Sequence, residues 1–402
     1  MPSEPGATAV GATGPSGRAV LAPLLLVALA DTLGSFLVLA LLPYYATEMG
    51  ADPFAVGWLV ASFAVAQTIT APLWGRLSDR IGRRPVIVAG LALLVVSFVG
   101  FALAGSLLLL LVSRLAQGVG GGTVSVTFAL ISDHAPRGER AVRIGWLTAA
   151  TSGAAVVGPL LGSLLVPISP PAPGLAAAAV CVAALVAATL LLPAPGALRP
   201  ASPPAASLLS RFVQVAAAPS RRLHLLIWTY AVGMFGTNAV LAVVGLFLQR
   251  RHAVDETRIW QFFALLAGAS LVMRAVLLPP LLRRYGETAV LLAGGWLLAL
   301  SVLALPLPDS LLGVAAATIL LAAGQSLLYP STTSQISAAG AEGEVGAVLG
   351  VQQAWGGVAR IAGPLASGAL LGAVGAAAPF LAVGAGLLGW AAFITLRLRR
   401  PG

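Results

Sequence analysis

Residues 75–84 read Gly-Arg-Leu-Ser-Asp-Arg-Ile-Gly-Arg-Arg and lie between two long apolar runs, at about 55–74 and 86–104. Glycines and charges dominate the stretch, so it cannot continue a membrane span. Gly75 and Gly82 supply tight turns. Asp79 is an acid set among Arg76, Arg80, Arg83 and Arg84. A short cationic loop between two spans is a topological anchor and marks the cytoplasmic side.

Working outward, the chain has 402 residues, of which 58% are hydrophobic and only 9% charged. That balance excludes an ordinary soluble domain and indicates a polytopic membrane protein. A helix needs about 20 apolar residues to cross ~30 Å of hydrocarbon. Twelve such spans are expected, at about 19–42, 55–74, 86–104, 106–130, 142–166, 174–193, 222–248, 258–282, 288–306, 311–335, 345–372 and 376–397. With the 75–84 loop inside, seventeen arginines fall on the inner side and three, Arg250, Arg251 and Arg258, on the outer side. Both termini are therefore expected in the cytoplasm. The loop 336–344 runs against this trend, with Glu342, Glu344 and no base.

The net charge of +10 is carried by arginines in short loops, with no lysine in the chain, so no nucleic-acid partner is expected. Cys181 is the single cysteine, which rules out an intrachain disulfide and suggests no metal cluster. The expected domains are a disordered tail at 1–17, a six-helix half at 18–193, a cytoplasmic linker at 194–221, a second six-helix half at 222–397 and a tail at 398–402. The halves echo each other. Ile81-Gly82 matches Tyr285-Gly286 at an offset of 204, Gly158-Pro159-Leu160 matches Gly363-Pro364-Leu365 at 205, and Gln117 matches Gln325 at 208. Three ordered echoes at nearly one offset indicate an internal duplication.

The pattern G-x-L-x-D-R-x-G-R-R, met by Gly75, Leu77, Asp79, Arg80, Gly82, Arg83 and Arg84, resembles the signature loop of the major facilitator superfamily. Two further motifs point the same way. Span 4 holds Arg114, Gln117 and the glycines 118, 120, 121 and 122, similar to a superfamily motif whose arginine is tied to proton transfer. Span 5 holds Gly153, Gly158, Pro159 and Gly162, followed by Ser163 where the family usually has another glycine. This resembles the motif of the twelve-helix drug/proton antiporters. The resemblance implies two pseudo-symmetric six-helix bundles, a substrate site at the midplane between them, and alternating access. It also implies that Asp79 contacts the start of span 11 and closes the cytoplasmic side. The gating set is expected at Gly75, Asp79, Arg80, Gly82, Arg83, Arg84, Gly158, Pro159, Gly162, Gly363 and Pro364. Packing of small residues is the plainer reading of the span 5 motif.

Asp31 is the one mid-span acid among thirteen, and no histidine lies mid-span. A buried charge there costs about 2.5–3.5 kcal/mol on insertion scales, so it must be protonated, paired or wet. Arginine stays charged wherever it sits, which leaves Asp31 as the mid-span group able to carry a proton. Arg114, at nearly the same depth by helix rise, is its candidate partner in coupling. A permanent Asp31–Arg114 pair is the alternative.

Expected cavity residues are Asp31, Phe36, Arg114 and Gln117 in the first half, and Trp228, Tyr230, Phe235, Asn238, Gln325, Tyr329 and Arg360 in the second. Aromatics beside a few amides suit amphipathic organic molecules and also suit ordinary packing. Arg274 is expected to snorkel to the inner face. Arg360 is too deep for that and is either an interface lock or an anion site.

The expected function is proton-coupled efflux of drug-like or amphipathic metabolite molecules. The alternative is a proton- or anion-coupled transporter of an organic anion, motivated by three mid-span arginines against one acid. A transport-inactive sensor or scaffold is the remaining alternative. No paired mid-span acids or Ser/His arrangement indicates an enzyme, and no cofactor is expected. The expected partners are a small-molecule substrate, protons and the lipid bilayer. The expected form is a monomer in a bacterial inner membrane.

Overall fold

The computed structural model describes residues 17–134, 140–193, 222–339 and 345–399. Among them every regular element is helical. Lipid offers no hydrogen bonds to an open strand, whereas a helix satisfies its own backbone. The first half comprises α1 (Gly17–Glu48), α2 (Pro53–Ile81), α3 (Arg83–Ala102), α4 (Leu107–Gly121), α5 (Val124–His134), α6 (Arg140–Leu165) and α7 (Ala172–Leu191). The second comprises α8 (Arg222–His252), α9 (Trp260–Val272), a π-helical turn (Met273–Leu277), α10 (Leu278–Ala304), α11 (Leu311–Ala339), α12 (Val345–Ala373) and α13 (Ala378–Arg399). The expected linker 194–221, the dissenting residues Glu342 and Glu344, and most of the N-terminal tail lie outside the described residues.

Each of the twelve expected spans has a helical counterpart, though helices and spans do not map one to one. Nine helices among the described residues are long and apolar enough to cross a membrane, and one of them, Trp260–Ala304, takes in two expected spans. Span 4 is two helices, because the glycine run ending α4 gives way to a turn at Gly122–Thr123. Side chains from α2 cover carbonyls at this break: Trp74 Nε1 donates to Val119 O at 2.7 Å and Gln67 Nε2 to Gly121 O at 3.3 Å. Local capping follows the sequence. Asp52 precedes Pro53 and accepts from Ala55 N at 2.7 Å, and Ser106 accepts from Leu109 N at 3.3 Å.

The internal repeat is visible in the backbone. Gly82, between α2 and α3, has φ 95° and ψ 159°; Gly286, which bends α10, has φ 78° and ψ 162°. Both corners need a left-handed residue, and glycine enters that region freely. The two Gly-Pro sites match as well. A Cβ on Gly158 would lie 2.5 Å from Leu33 O, and one on Gly363 would lie 2.6 Å from Phe235 O. Helix α6 therefore seats on α1 as α12 seats on α8. The remaining pairs also correspond: α3 packs on α4 and α7, and α10 packs on α11 and α13.

Between the halves, α2 packs on α12, α6 on α9 and α1 on α8. Gly57 and Gly368 let α2 and α12 approach at the ends away from the signature loop, where a Cβ on either would meet the other helix's backbone at 2.5 Å. Tyr44 donates to Val254 O at 3.2 Å and Gly245 O at 3.4 Å, and Ser163 Oγ donates to Glu256 O at 2.7 Å. These contacts draw together the face opposite the signature loop.

Candidate functional site

In the first half, α1 carries Asp31 and Ser35 into the bundle, facing the end of α4. Asp31 is only 9% exposed, and its Oδ1 accepts no hydrogen bond. A Cβ on Gly121 would lie 3.3 Å from that oxygen, so the glycine run lets the backbone of α4 close on the carboxyl. On its other side Asp31 borders a cavity of about 20 Å³, whose polar lining is Thr32, Thr123, Thr127 and Thr151. That is room for one water. The rest of the lining is apolar, including Leu91, Leu94, Phe128 and Leu147.

Arg114 is engaged elsewhere. Its Nε donates to Leu59 O at 3.3 Å, its Nη1 donates to Gln117 Oε1, and its guanidinium stands over the Phe63 ring at 5.0 Å. Gln117 Nε2 in turn donates to Ser35 Oγ at 3.3 Å. The one-turn spacing of Arg114 and Gln117 thus produces a contact between them. The permanent Asp31–Arg114 pair considered from sequence does not form in this structure; the guanidinium is held by a carbonyl, an amide and an aromatic face.

The second half holds two aromatic pairs and two mid-span arginines. Tyr230 on α8 and Tyr329 on α11 meet edge to face at 5.6 Å. The Tyr329 hydroxyl shares a hydrogen bond of 2.6 Å with Thr237 Oγ1, in which either group can donate. Trp228 and Trp355 pack with ring centres 4.5 Å apart. Gly356 makes room for the Tyr230 ring, since a Cβ there would lie 2.7 Å from its Cε1. Arg360 lies one turn further along α12 from Gly356. The Arg360 Nε is buried without a hydrogen-bond partner.

Arg274 lies in an irregular part of its span. It sits exposed in the π-helical turn, one turn from Ser270. A π turn inserts one residue into the helical register and redirects its side chains, and such turns recur at functional sites. Gln325 donates to Ser270 Oγ at 2.9 Å.

Other expected residues fall elsewhere. Asn238 folds back on its own helix and donates to Met234 O at 2.8 Å. Phe235 lines an apolar groove of about 540 Å³ between α8, α12 and α13, beside Leu387, Trp390 and Phe393. Phe36 is half-buried against the core. In the signature loop, Asp79 pairs with Arg83 at 2.8 Å, and Arg84 donates to Thr189 O at the end of α7. Gly75 faces open space. The start of span 11 adjoins residues outside the described set, so the expected Asp79 contact there falls beyond it.

Several members of these clusters do not stand out in the sequence: Ser35, Phe63 and Gln67, the threonines Thr123, Thr127 and Thr151, and Thr237 and Trp355. Their signal is faint, because single hydroxyls, amides and aromatics occur throughout apolar spans.

Two repeated six-span halves, packed around mid-span charges, define a secondary-transporter architecture. Residues 24–289 match the family model of the Major Facilitator Superfamily. The chain belongs to that superfamily, and it is a transporter and not an enzyme. It is 28% identical over 346 residues to the class D tetracycline resistance protein of Salmonella ordonez, covering 85% of this chain and 86% of that protein. It is 33% identical over 162 residues to the quinolone resistance protein NorA of Staphylococcus aureus, covering 40% and 42% of the two chains. Among solved structures, the human organic anion transporter MFSD10 superposes with a TM-score of 0.70 at 24% identity, covering 95% of this chain and all of that one. The nucleoside transporter NupG superposes with a TM-score of 0.77 at 13% identity, over 95% of this chain.

Proposed function

We propose that the protein is a proton-coupled antiporter that exports amphipathic organic molecules by alternating access of its two halves. The observation that carries this reading is Asp31, a carboxyl buried mid-span with no basic group paired to it among the described residues and no donor on Oδ1. An ionised carboxylate so placed is costly, and a proton is the smallest partner that removes the cost. Arg114 fits a supporting role. It is held by Leu59, Gln117 and Phe63, and Gln117 bonds to Ser35, one turn from Asp31 on α1. A shift of α1 against α4 on switching would therefore be felt by both groups.

Under this reading the division into halves at 18–193 and 222–397 is functional. The Gly-Pro contacts at Gly158-Pro159 and Gly363-Pro364, with Gly162, are the pivots. The signature loop, through Gly75, Asp79, Arg80, Gly82, Arg83 and Arg84, is the inner gate. Phe36, Gln117, Gln325, Trp228, Tyr230 and Tyr329 contribute to the cargo site, and Phe235 and Asn238 play a lesser part. The protein works as a monomer in a bacterial inner membrane with both termini cytoplasmic. The arginine distribution supports that orientation, and relatives named for tetracycline and quinolone resistance support export.

The test is transport in proteoliposomes under an imposed pH gradient. Wild type should concentrate a fluorescent amphipathic cargo against its gradient. Asp31→Asn should insert and fold yet only equilibrate it. Uphill transport by Asp31→Asn would refute the assignment.

A further inference from the structure

The second half carries positive charge that the described chain leaves uncommitted. Arg360 makes no hydrogen bond or ion pair among the described residues, and its Nε is buried. Arg274 likewise pairs with no carboxylate there; the ion pairs seen are Asp79–Arg83 and Arg251–Asp309, both near loops. A lock by Arg360 onto carbonyls across the interface therefore has no bond to act through in this structure. Two arginines lie beside one aromatic pair: Arg360 is one turn from Gly356, which packs against the Tyr230 ring, Arg274 is one turn from Ser270, which bonds to Gln325 one turn from Tyr329, and the two ring centres are 5.6 Å apart. Mid-span cations without partners are costly, and in transporters they mark the path of a ligand.

We infer that Arg274 and Arg360, with Tyr230 and Tyr329 between them, form a subsite for the oxyanion group of an aromatic organic anion, a carboxylate in the simplest case. Guanidinium forks match carboxylate geometry and keep their charge within an apolar span; Arg274 is exposed and Arg360 half-buried, so both can be reached by a ligand. The tyrosine faces and the Trp228–Trp355 pair supply a wall for the ring. The missing Cβ of Gly356 is what lets Tyr230 lie against α12, one turn from Arg360. The π turn gives Arg274 its direction. The inference rests on the exporter reading in taking the bound anion as cargo, and it narrows that cargo from amphipathic molecules in general to anionic ones.

The test uses the purified full-length protein and two probes of one shape, 2-naphthoate and 2-naphthamide, with binding followed by quenching of tryptophan fluorescence. Wild type should bind the naphthoate at least about tenfold more tightly. Arg360→Gln and Arg274→Gln should each remove most of that preference while leaving naphthamide affinity within about twofold, and Arg360→Lys should keep part of it. Absence of a wild-type preference, or equal loss of both probes in the variants, overturns the site. The wild-type arm decides even if a variant fails to fold. Asp31→Asn separates the two proposals. Lost preference with intact pH-driven transport sinks the anion site alone, whereas intact preference with pH-driven transport surviving in Asp31→Asn sinks the proton reading alone.

Discussion

Gly82 and Gly286 share one left-handed backbone corner, and Gly158 and Gly363 seat on corresponding carbonyls of the neighbouring helix. The charges around them have no such correspondence. By the matched carbonyls Leu33 O and Phe235 O, an offset of 202, Asp31 corresponds to Gly233; at 208 Arg114 corresponds to Ala322, and at 205 Arg360 corresponds to Ala155. In the first half the arginine is fully engaged and the acid stands alone. In the second half the arginines are uncommitted, and no mid-span acid accompanies them. Backbone contact has held the duplicated frame, because a Cβ at either Gly-Pro site would strike a carbonyl. Charge has diverged within that frame. Under the reading proposed above, the divergence would equip the halves for different ligands, a proton in the first and an anion in the second.

The contrast in engagement predicts unequal costs on removing each arginine. Arg114→Ala leaves a buried Gln117 oxygen and the Leu59 carbonyl without their charged donor and should destabilise the protein by about 2–3 kcal/mol. Arg360→Gln breaks no bond in this structure and should stay within about 0.5 kcal/mol. Thermal unfolding in detergent compares the two, and equal losses would erase the distinction between the halves.

The shared frame predicts equal costs instead. Gly158→Ala and Gly363→Ala should each cost about 1–3 kcal/mol, since helix packing must shift to admit the methyl. Gly153→Ala, in the same motif but facing open space, should be close to neutral. A large difference between Gly158 and Gly363 in the same unfolding assay would show that the two pivots are not equivalent.

Smaller effects are expected at the two faces of the membrane. Tyr44→Phe loses an outer contact of about 1 kcal/mol and should raise labelling of outer-face cysteines introduced beside it. Asp79→Asn removes an i,i+4 pair of about 0.5 kcal/mol and should slow transport roughly twofold while favouring the inward-open form. Unchanged cysteine accessibility on the inner side, with normal transport, would remove Asp79 from the gate.

Much of the fold is legible in the sequence because its determinants are local. Apolar run length sets the spans, arginine position sets the sides, and repeated Gly-Pro and Gly-Arg motifs expose the duplication. Two irregularities are not readable there. The break at Gly122–Thr123 depends on Trp74 and Gln67 of α2 reaching across to Val119 and Gly121. The π turn at Arg274 leaves no mark in apolar periodicity. The candidate site is legible by residue type and not by contact. Asp31, Arg114, Tyr230, Tyr329 and Arg360 stand out as unusual in apolar spans, yet nothing in their spacing tells that Arg114 turns to Gln117 while Asp31 stays unpaired. Nor does spacing tell that Phe235 faces an outer groove, which depends on the rotation of α8 against α13.

The central claim is that Asp31 exchanges a proton while Arg114 remains engaged beside it. Infrared difference spectroscopy across a pH titration of the purified protein reads this directly, through the carbonyl stretch of a protonated carboxyl. The account predicts one such band that comes and goes with pH in wild type and in Arg360→Gln, and is missing in Asp31→Asn. A wild-type spectrum with no Asp31-dependent band at any pH would contradict it.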